Sequence, residues 1–430
     1  MKMPNKIILL LLCVLSFAPA ASTRKASIRD KEGLFEAMSV GDQEKVENLR
    51  ATGSPPLRVV AEAVAPRMRF DLDKSDKKVA DCLRYAEVDN RAPTVAFICH
   101  ALKAGNSFLR GDISAWAVQL KELRKDSEAN GLDGLLDAIN DVPDYTQWTK
   151  IAVHDHLSIG ARPILISFKH TAKHENFTAD GGIFFDARVN GRAILLGFDT
   201  GAIISLLDKG DANKAGMELT RNWLQDGGLQ ITAGRFSLGT ARDMSFGDVV
   251  LKNWPVSVGD RAGLGVLGLE AISRMGPLLL SYDGVHLLSE IQSTALACQR
   301  DIDVSSGLTG LPARLRFPVI IDGTAQFAVL DTGQTAALAK VDGTDAEMTN
   351  TTTMSVQRAG GLSIEETVGQ RSVSLIAGPV HTTMVMTIYK DYKSDYSYAL
   401  GADFLKYADI FLDFSSRKAC ILPKNTKLVQ

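Results

Sequence analysis

The sequence predicts a mainly β chain built of two similar barrel lobes, preceded by an α-helical region. Three observations predict it. The triplet Asp-Thr-Gly occurs twice, as Asp199-Thr200-Gly201 and as Asp331-Thr332-Gly333. Each copy follows an apolar, strand-like run, and each run follows a hairpin signal, Asn190-Gly191 or Asp322-Gly323. Residues 30–140 instead carry apolar positions at helical spacing.

The repeat extends beyond the triplets. Eight residues separate the turn glycine from the aspartate in both copies. An apolar-apolar-Gly element follows, Val266-Leu267-Gly268 in the first half and Ala399-Leu400-Gly401 in the second, 69 and 70 residues after the aspartate. An apolar strand with a late aspartate comes next, Leu278 to Asp283 and Ile410 to Asp413, with the aspartates 84 and 82 residues on. A lone triplet of common residues arises by chance, whereas four landmarks in constant order read as an internal duplication.

At these residues the two halves resemble retropepsin-like aspartic protease domains fused in tandem, a pepsin-like two-lobed arrangement in one chain. The resemblance covers about residues 160–425, and the second half carries its motifs most fully in Leu400-Gly401-Ala402-Asp403-Phe404-Leu405 and Leu412-Asp413-Phe414. The first half is looser, with Leu267-Gly268-Leu269-Glu270-Ala271-Ile272. Gln334 stands where the family usually has Ala, Ser or Thr, and Gly197 where an apolar residue is usual. The resemblance implies two acid-protease barrels and a catalytic dyad of Asp199 and Asp331. It also implies that the Thr200 and Thr332 hydroxyls hydrogen-bond across the pseudo-twofold.

The residue types suit that chemistry. Two carboxylates about 3 Å apart cannot both ionise, so the pair shares one proton. The charged member polarises a water and the neutral one donates to the scissile carbonyl oxygen. Gly201 and Gly333 let backbone approach the carboxylates closely. Gly268 and Gly401 fit an element that packs against each catalytic loop, where a side chain would push the loop away. Neither a cofactor nor a metal is required. His154, His156, His170 and His174 lie close in sequence and read as surface histidines rather than ligands.

At the N-terminus, Lys2 and Lys6 precede the apolar run Ile7 to Phe17 and the small-residue site Ala18-Pro19-Ala20, the pattern of a cleaved secretory signal peptide. The expected location is secreted or periplasmic. Losing those two lysines shifts the net charge from −2 to about −4, with no basic stripe, which disfavours nucleic acid as a partner. No later run of about 20 apolar residues is present, so no membrane contact is expected after cleavage. Four of the five cysteines lie beyond the leader: Cys82, Cys99, Cys298 and Cys420. Two disulfides have three connectivities, of which Cys82–Cys99 with Cys298–Cys420 is the most economical; four free buried thiols are the alternative.

The helical region breaks at Gly41-Asp42, Gly53-Ser54-Pro55-Pro56, Asp89-Asn90, Gly105-Asn106 and Gly111-Asp112. Its paired helices have the look of a short solenoid or of an irregular bundle. Such a unit could bind a protein partner or cover the cleft. The expected organisation is signal peptide 1–20, helical domain 22–140, linker 141–160, first lobe 161–297 and second lobe 305–425. The composition change near Pro143 makes the helical domain separable from the lobes. Glycines at Gly227-Gly228, Gly234 and Gly360-Gly361 are flap candidates.

The expected function is a monomeric aspartic endopeptidase acting on an extended polypeptide. The alternative is a protein of the same fold without turnover, acting as a peptide-binding or scaffold module.

Overall fold

The structure, a computed structural model, describes residues 33–88, 93–130, 148, 157–174, 177–219, 236–260, 263–357, 363–390 and 394–428. The expected signal peptide 1–20, Asp89-Asn90, His154, His156 and the flap-candidate glycines lie outside the described residues.

Six helices come first: α1 (33–40), α2 (Gln43–Thr52), α3 (Pro55–Met68), α4 (Leu72–Val88), α5 (Pro93–Leu109) and α6 (Ile113–Asn130). Their ends follow local chemistry. Asp42 caps α2 by accepting Lys45 N–H at 2.9 Å, and Asp112 caps α6 by accepting Ala115 N–H at 3.0 Å. Pro55 and Pro56 open α3, where their missing N–H costs nothing. A disulfide, Cys82–Cys99, ties α4 to α5.

One sequence expectation fails here. Gly105-Asn106 is not a break; both residues lie inside α5. The glycine serves packing instead. A methyl group on Gly105 would sit 2.4 Å from the Arg67 guanidinium, which passes across the helix at that point. Asn106 is buried and donates to Ser75 Oγ at 2.9 Å and Asp76 Oδ1 at 2.7 Å, so it pairs with α4 rather than turning the chain.

Among the described residues, the β region forms two eight-stranded sheets and a five-stranded sheet that joins them. The two large sheets share one pairing pattern. In the first, the strand Arg192–Phe198 leading to Asp199 runs parallel to Gly265–Leu267, and Leu206–Asp208 runs parallel to Val249–Gly259 and antiparallel to Gly265–Leu267. In the second, Thr324–Leu330 leading to Asp331 runs parallel to Tyr398–Leu400, and Leu338–Gly343 runs parallel to Val380–Lys390 and antiparallel to Tyr398–Leu400. The hairpin signals form turns, with positive φ at both Asn190 and Gly191 and at both Asp322 and Gly323, as a type I′ turn needs. The strand Leu157–Ile159 already pairs with Val249 to Leu251 of the first sheet.

The late strands of the two halves meet each other. Leu278–Ser281 pairs antiparallel with Ala408–Asp413, Leu278 opposite Leu412 and Leu280 opposite Ile410. All six residues of Ala408–Asp413 are buried, so this shared sheet forms a common floor beneath both lobes. A second disulfide, Cys298–Cys420, fastens the segment after the first lobe to the sheet's last strand, Lys418–Pro423.

The helices are packed onto this body. Arg67 of α3 is fully buried and donates to Leu308 O at 2.9 Å and Gly307 O at 2.7 Å. Burial pushes its guanidinium down to about 9, against the nearby Asp76 carboxylate. Trp116 Nε1 of α6 donates to Thr309 O at 2.9 Å, and Arg316 donates to Gly41 O. Phe70 meets Phe414 edge-on at 5.2 Å. Buried residues of α1 to α6 and of both lobes belong to one continuous apolar cluster.

Candidate active site

The two Asp-Thr-Gly loops meet between the lobes because the same strand pair delivers each. Asp199 N–H donates to Leu267 O at 3.1 Å, and Asp331 N–H donates to Leu400 O at 2.9 Å. Each aspartate is thus held at the end of its strand by the parallel neighbour.

The threonines lock the loops together. Thr200 Oγ1 donates to Leu330 O at 2.9 Å, and Thr332 Oγ1 donates to Phe198 O at 2.7 Å. Each hydroxyl also accepts the other threonine's N–H, at 3.0 and 3.1 Å. Both residues are buried, so four hydrogen bonds cross the interface away from water.

The glycines stand against the carboxylates of the opposite loop. A methyl group on Gly201 would lie 2.2 Å from Asp331 Oδ1, and one on Gly333 would lie 2.4 Å from Asp199 Oδ2. Neither position admits a side chain without separating the loops. Gly268 and Gly401 are equally crowded, a methyl group meeting Ile204 C at 2.7 Å in one case and Ala336 O at 2.2 Å in the other. All eight residues singled out in the sequence therefore lie in the loops or directly against them.

The two carboxylates do not share one environment. Asp199 Oδ1 accepts Gly201 N–H at 2.8 Å and Ala202 N–H at 2.9 Å. Asp331 Oδ2 instead accepts the Tyr396 hydroxyl at 3.3 Å. Gln334 N–H turns back to Asp331 O at 3.0 Å, and its own carbonyl accepts Ala402 N–H at 2.7 Å. Burial and the neighbouring Asp331 charge push the Asp199 carboxyl up to about 7, over the opposing pull of its two backbone donors and of Arg314. A pair arranged this way holds a single proton near neutral pH.

Glu270 occupies the position equivalent to Asp403. It is buried behind the first loop, and Oε1 accepts Ser205 N–H at 2.8 Å and Trp254 Nε1–H at 3.2 Å. Burial raises its carboxyl above the usual range. His170 packs flat on Tyr282 with ring centres 3.9 Å apart, and its Nε2 meets Tyr282 O at 2.8 Å. That contact links the strand Lys169–His174 of the first sheet to the turn between two strands of the joining sheet. The sequence reading missed Arg314 and Tyr396, which touch the loops from outside the repeated landmarks.

Residues 185–271 match the family described as aspartyl protease. This stretch runs from the strand before the first turn to just past Gly268, and so takes in Asp199, Thr200 and Gly201. No curated protein matches the chain. Among solved structures it is similar to a retropepsin-like aspartic protease from Rickettsia conorii, at 23% identity over 30% of this chain and 89% of that one, with a TM-score of 0.22. The fold is two β lobes joined by a shared sheet and preceded by helices, and the family match lies within the first of those lobes.

Proposed function

We propose that the protein is an aspartic endopeptidase in which Asp199 and Asp331 form the catalytic dyad. The observation that carries this reading is the meeting of two equivalent Asp-Thr-Gly loops, locked by reciprocal threonine hydrogen bonds. The substrate is an extended polypeptide lying between the lobes as a β-strand. The neutral carboxyl donates to the scissile carbonyl oxygen while the charged one takes a proton from the attacking water. Thr200, Thr332, Gly201, Gly333, Gly268 and Gly401 hold the loops at that spacing. The two disulfides fit an oxidising compartment, secreted or periplasmic, reached through the leader at residues 1–20. The two halves read as tandem retropepsin-like lobes, 161–297 and 305–425, behind a helical domain at 22–140.

The test is hydrolysis of unfolded casein across pH 3–8, with and without pepstatin. Pepstatin-sensitive cleavage is expected. An Asp199 carboxyl pushed up to about 7 keeps its proton well above the ordinary carboxylate range. The rate should therefore hold toward neutral pH and fall as pH rises through about 7, where the pair loses its single proton. No cleavage at any pH would leave a protease fold without turnover.

Because one chain carries both aspartates, the site needs no second copy. Activity per molecule should stay constant on dilution through the nanomolar range. A steep loss would show that the working site forms between chains.

A further inference from the structure

Asp331 has a partner that the repeat does not supply. Tyr396 lies in the segment just before the strand Tyr398–Leu400, which runs parallel to the strand delivering Asp331. Its hydroxyl reaches Asp331 Oδ2 at 3.3 Å. Its ring packs beside the buried group of Ala339, Val368, Tyr389 and Ala399. The Arg314 guanidinium lies 5.6 Å from the ring centre, in cation–π range. Arg314 also pairs with Asp395 at 3.6 Å and donates to Gly201 O in the opposite catalytic loop. One cation thus ties the tyrosine segment of the second lobe to the Asp-Thr-Gly loop of the first.

Among the described residues, the first lobe has no such pair at the matching positions. Arg314 stands 17 residues before Asp331, and the position 17 before Asp199 is Gly182. Tyr396 stands three residues before Ala399, and the position three before its counterpart Val266 is Gly263. The duplication has diverged at the two side chains that make the dyad unsymmetrical.

We propose that Tyr396 is a third functional group of this site, donating to Asp331 so that the negative charge of the half-protonated pair rests there and the proton rests on Asp199, with Arg314 as the residue that positions it. The inference rests on the peptidase reading of the dyad. It divides the labour: Asp331 activates the water and Asp199 donates to the scissile carbonyl oxygen. The charged and titratable groups that meet here are Asp199 and Asp331 from the two loops, Arg314 from the strand Ala313–Ile321, and Asp395 and Tyr396 from the segment before the strand Tyr398–Leu400. The backbone donors on Asp199 and the Arg314 cation favour charge on that side, but burial and the Asp331 charge outweigh them.

The test is Tyr396→Phe, which keeps the ring and removes the donor. Without the hydroxyl, charge on Asp331 is less favourable and the pair takes its second proton more readily. The acid limb of kcat/KM should move to higher pH by about one unit, with kcat falling roughly tenfold and KM little changed, as for a lost hydrogen bond to a charged group. Arg314→Lys keeps the charge but loses the fork, and should show part of the same shift. On an Asp331→Asn background, which is expected to be inactive, Tyr396→Phe should leave the pH dependence of Tm unchanged. Superimposed pH profiles, or a rise in KM alone, would reduce Tyr396 to a wall of the cleft and overturn the proposal. A second readout needs no catalysis: the Tm of wild type and of Asp199→Asn compared across pH 3–9 traces proton uptake by the pair. Tyr396→Phe should displace the acid flank of that difference curve upward. A uniform drop in Tm with no displacement overturns the proposal. Should the wild type cleave nothing, the peptidase reading falls by itself, and the melting curves still decide whether Tyr396 is coupled to the pair.

Discussion

Replacing Asp331 by Asn is expected to lower peptidase activity by on the order of 10,000-fold, and replacing Asp199 by Asn should cost about as much, because residues that act as one unit fail together. The fold should survive both changes, since the threonine lock and the strand ends do not use the carboxylates. Stability should respond in a definite direction for Asp199→Asn. A carboxyl pushed up to about 7 in the folded chain binds its proton there more tightly than in the unfolded chain. Between the ordinary carboxylate range and about pH 7 the folded state holds more protons, so wild-type stability falls as pH rises through that window. Asn carries no charge and escapes the penalty. The variant should therefore melt above wild type at pH 8, and the gain should vanish by about pH 4. Calorimetry at both pH values checks this, and a destabilised Asp199→Asn protein at pH 8 would contradict it.

The second large effect concerns the helices. Sequence composition suggested a separable helical domain, and the packing changes what truncation is expected to do. A chain starting near residue 150 would lose the partners of Gly307 O, Leu308 O and Thr309 O together with the apolar contacts of α3, α5 and α6. It is expected to be insoluble or poorly folded rather than freed for greater activity. The single change Arg67→Met isolates part of this. It fills similar volume but leaves the buried Leu308 O without a donor and Gly307 O with Gly310 N–H alone. A loss of about 1–3 kcal/mol in denaturant unfolding is therefore expected. A truncated chain that stays folded and active would show that the helices serve some purpose other than completing the lobes.

This packing has a consequence for the site. Arg67 and Trp116 hold the turn at 307–309, and the chain leaves that turn directly into the strand Ala313–Ile321, which carries Arg314. The helices thus brace the strand whose arginine reaches the Asp199-Thr200-Gly201 loop.

The two Asp-Thr-Gly loops were legible in the sequence because their signals are local. Asp, Thr and Gly each perform a job that few other residues can, and the turns before them need positive φ, which Asn-Gly and Asp-Gly announce. The joining sheet was half legible. Both late strands stood out as apolar runs, but nothing local says that Leu278 faces Leu412. Gly105 misled because a glycine that makes room for a buried guanidinium is indistinguishable, in sequence, from one that ends a helix. Arg314 and Tyr396 were invisible for a related reason. They lie outside the repeated landmarks, and their meeting with each other beside Asp331 and Gly201 depends on the folded chain.

The measurement that bears most directly on the single-chain dyad is casein hydrolysis by Asp199→Asn and Asp331→Asn proteins mixed in equal amounts, beside wild type at the same total concentration. Each variant lacks a different half of the pair. If one chain builds one site, the mixture should be as inactive as either variant alone while wild type cleaves. If the mixture recovers a substantial fraction of wild-type activity, the carboxylates are pairing between chains and the intramolecular dyad is wrong.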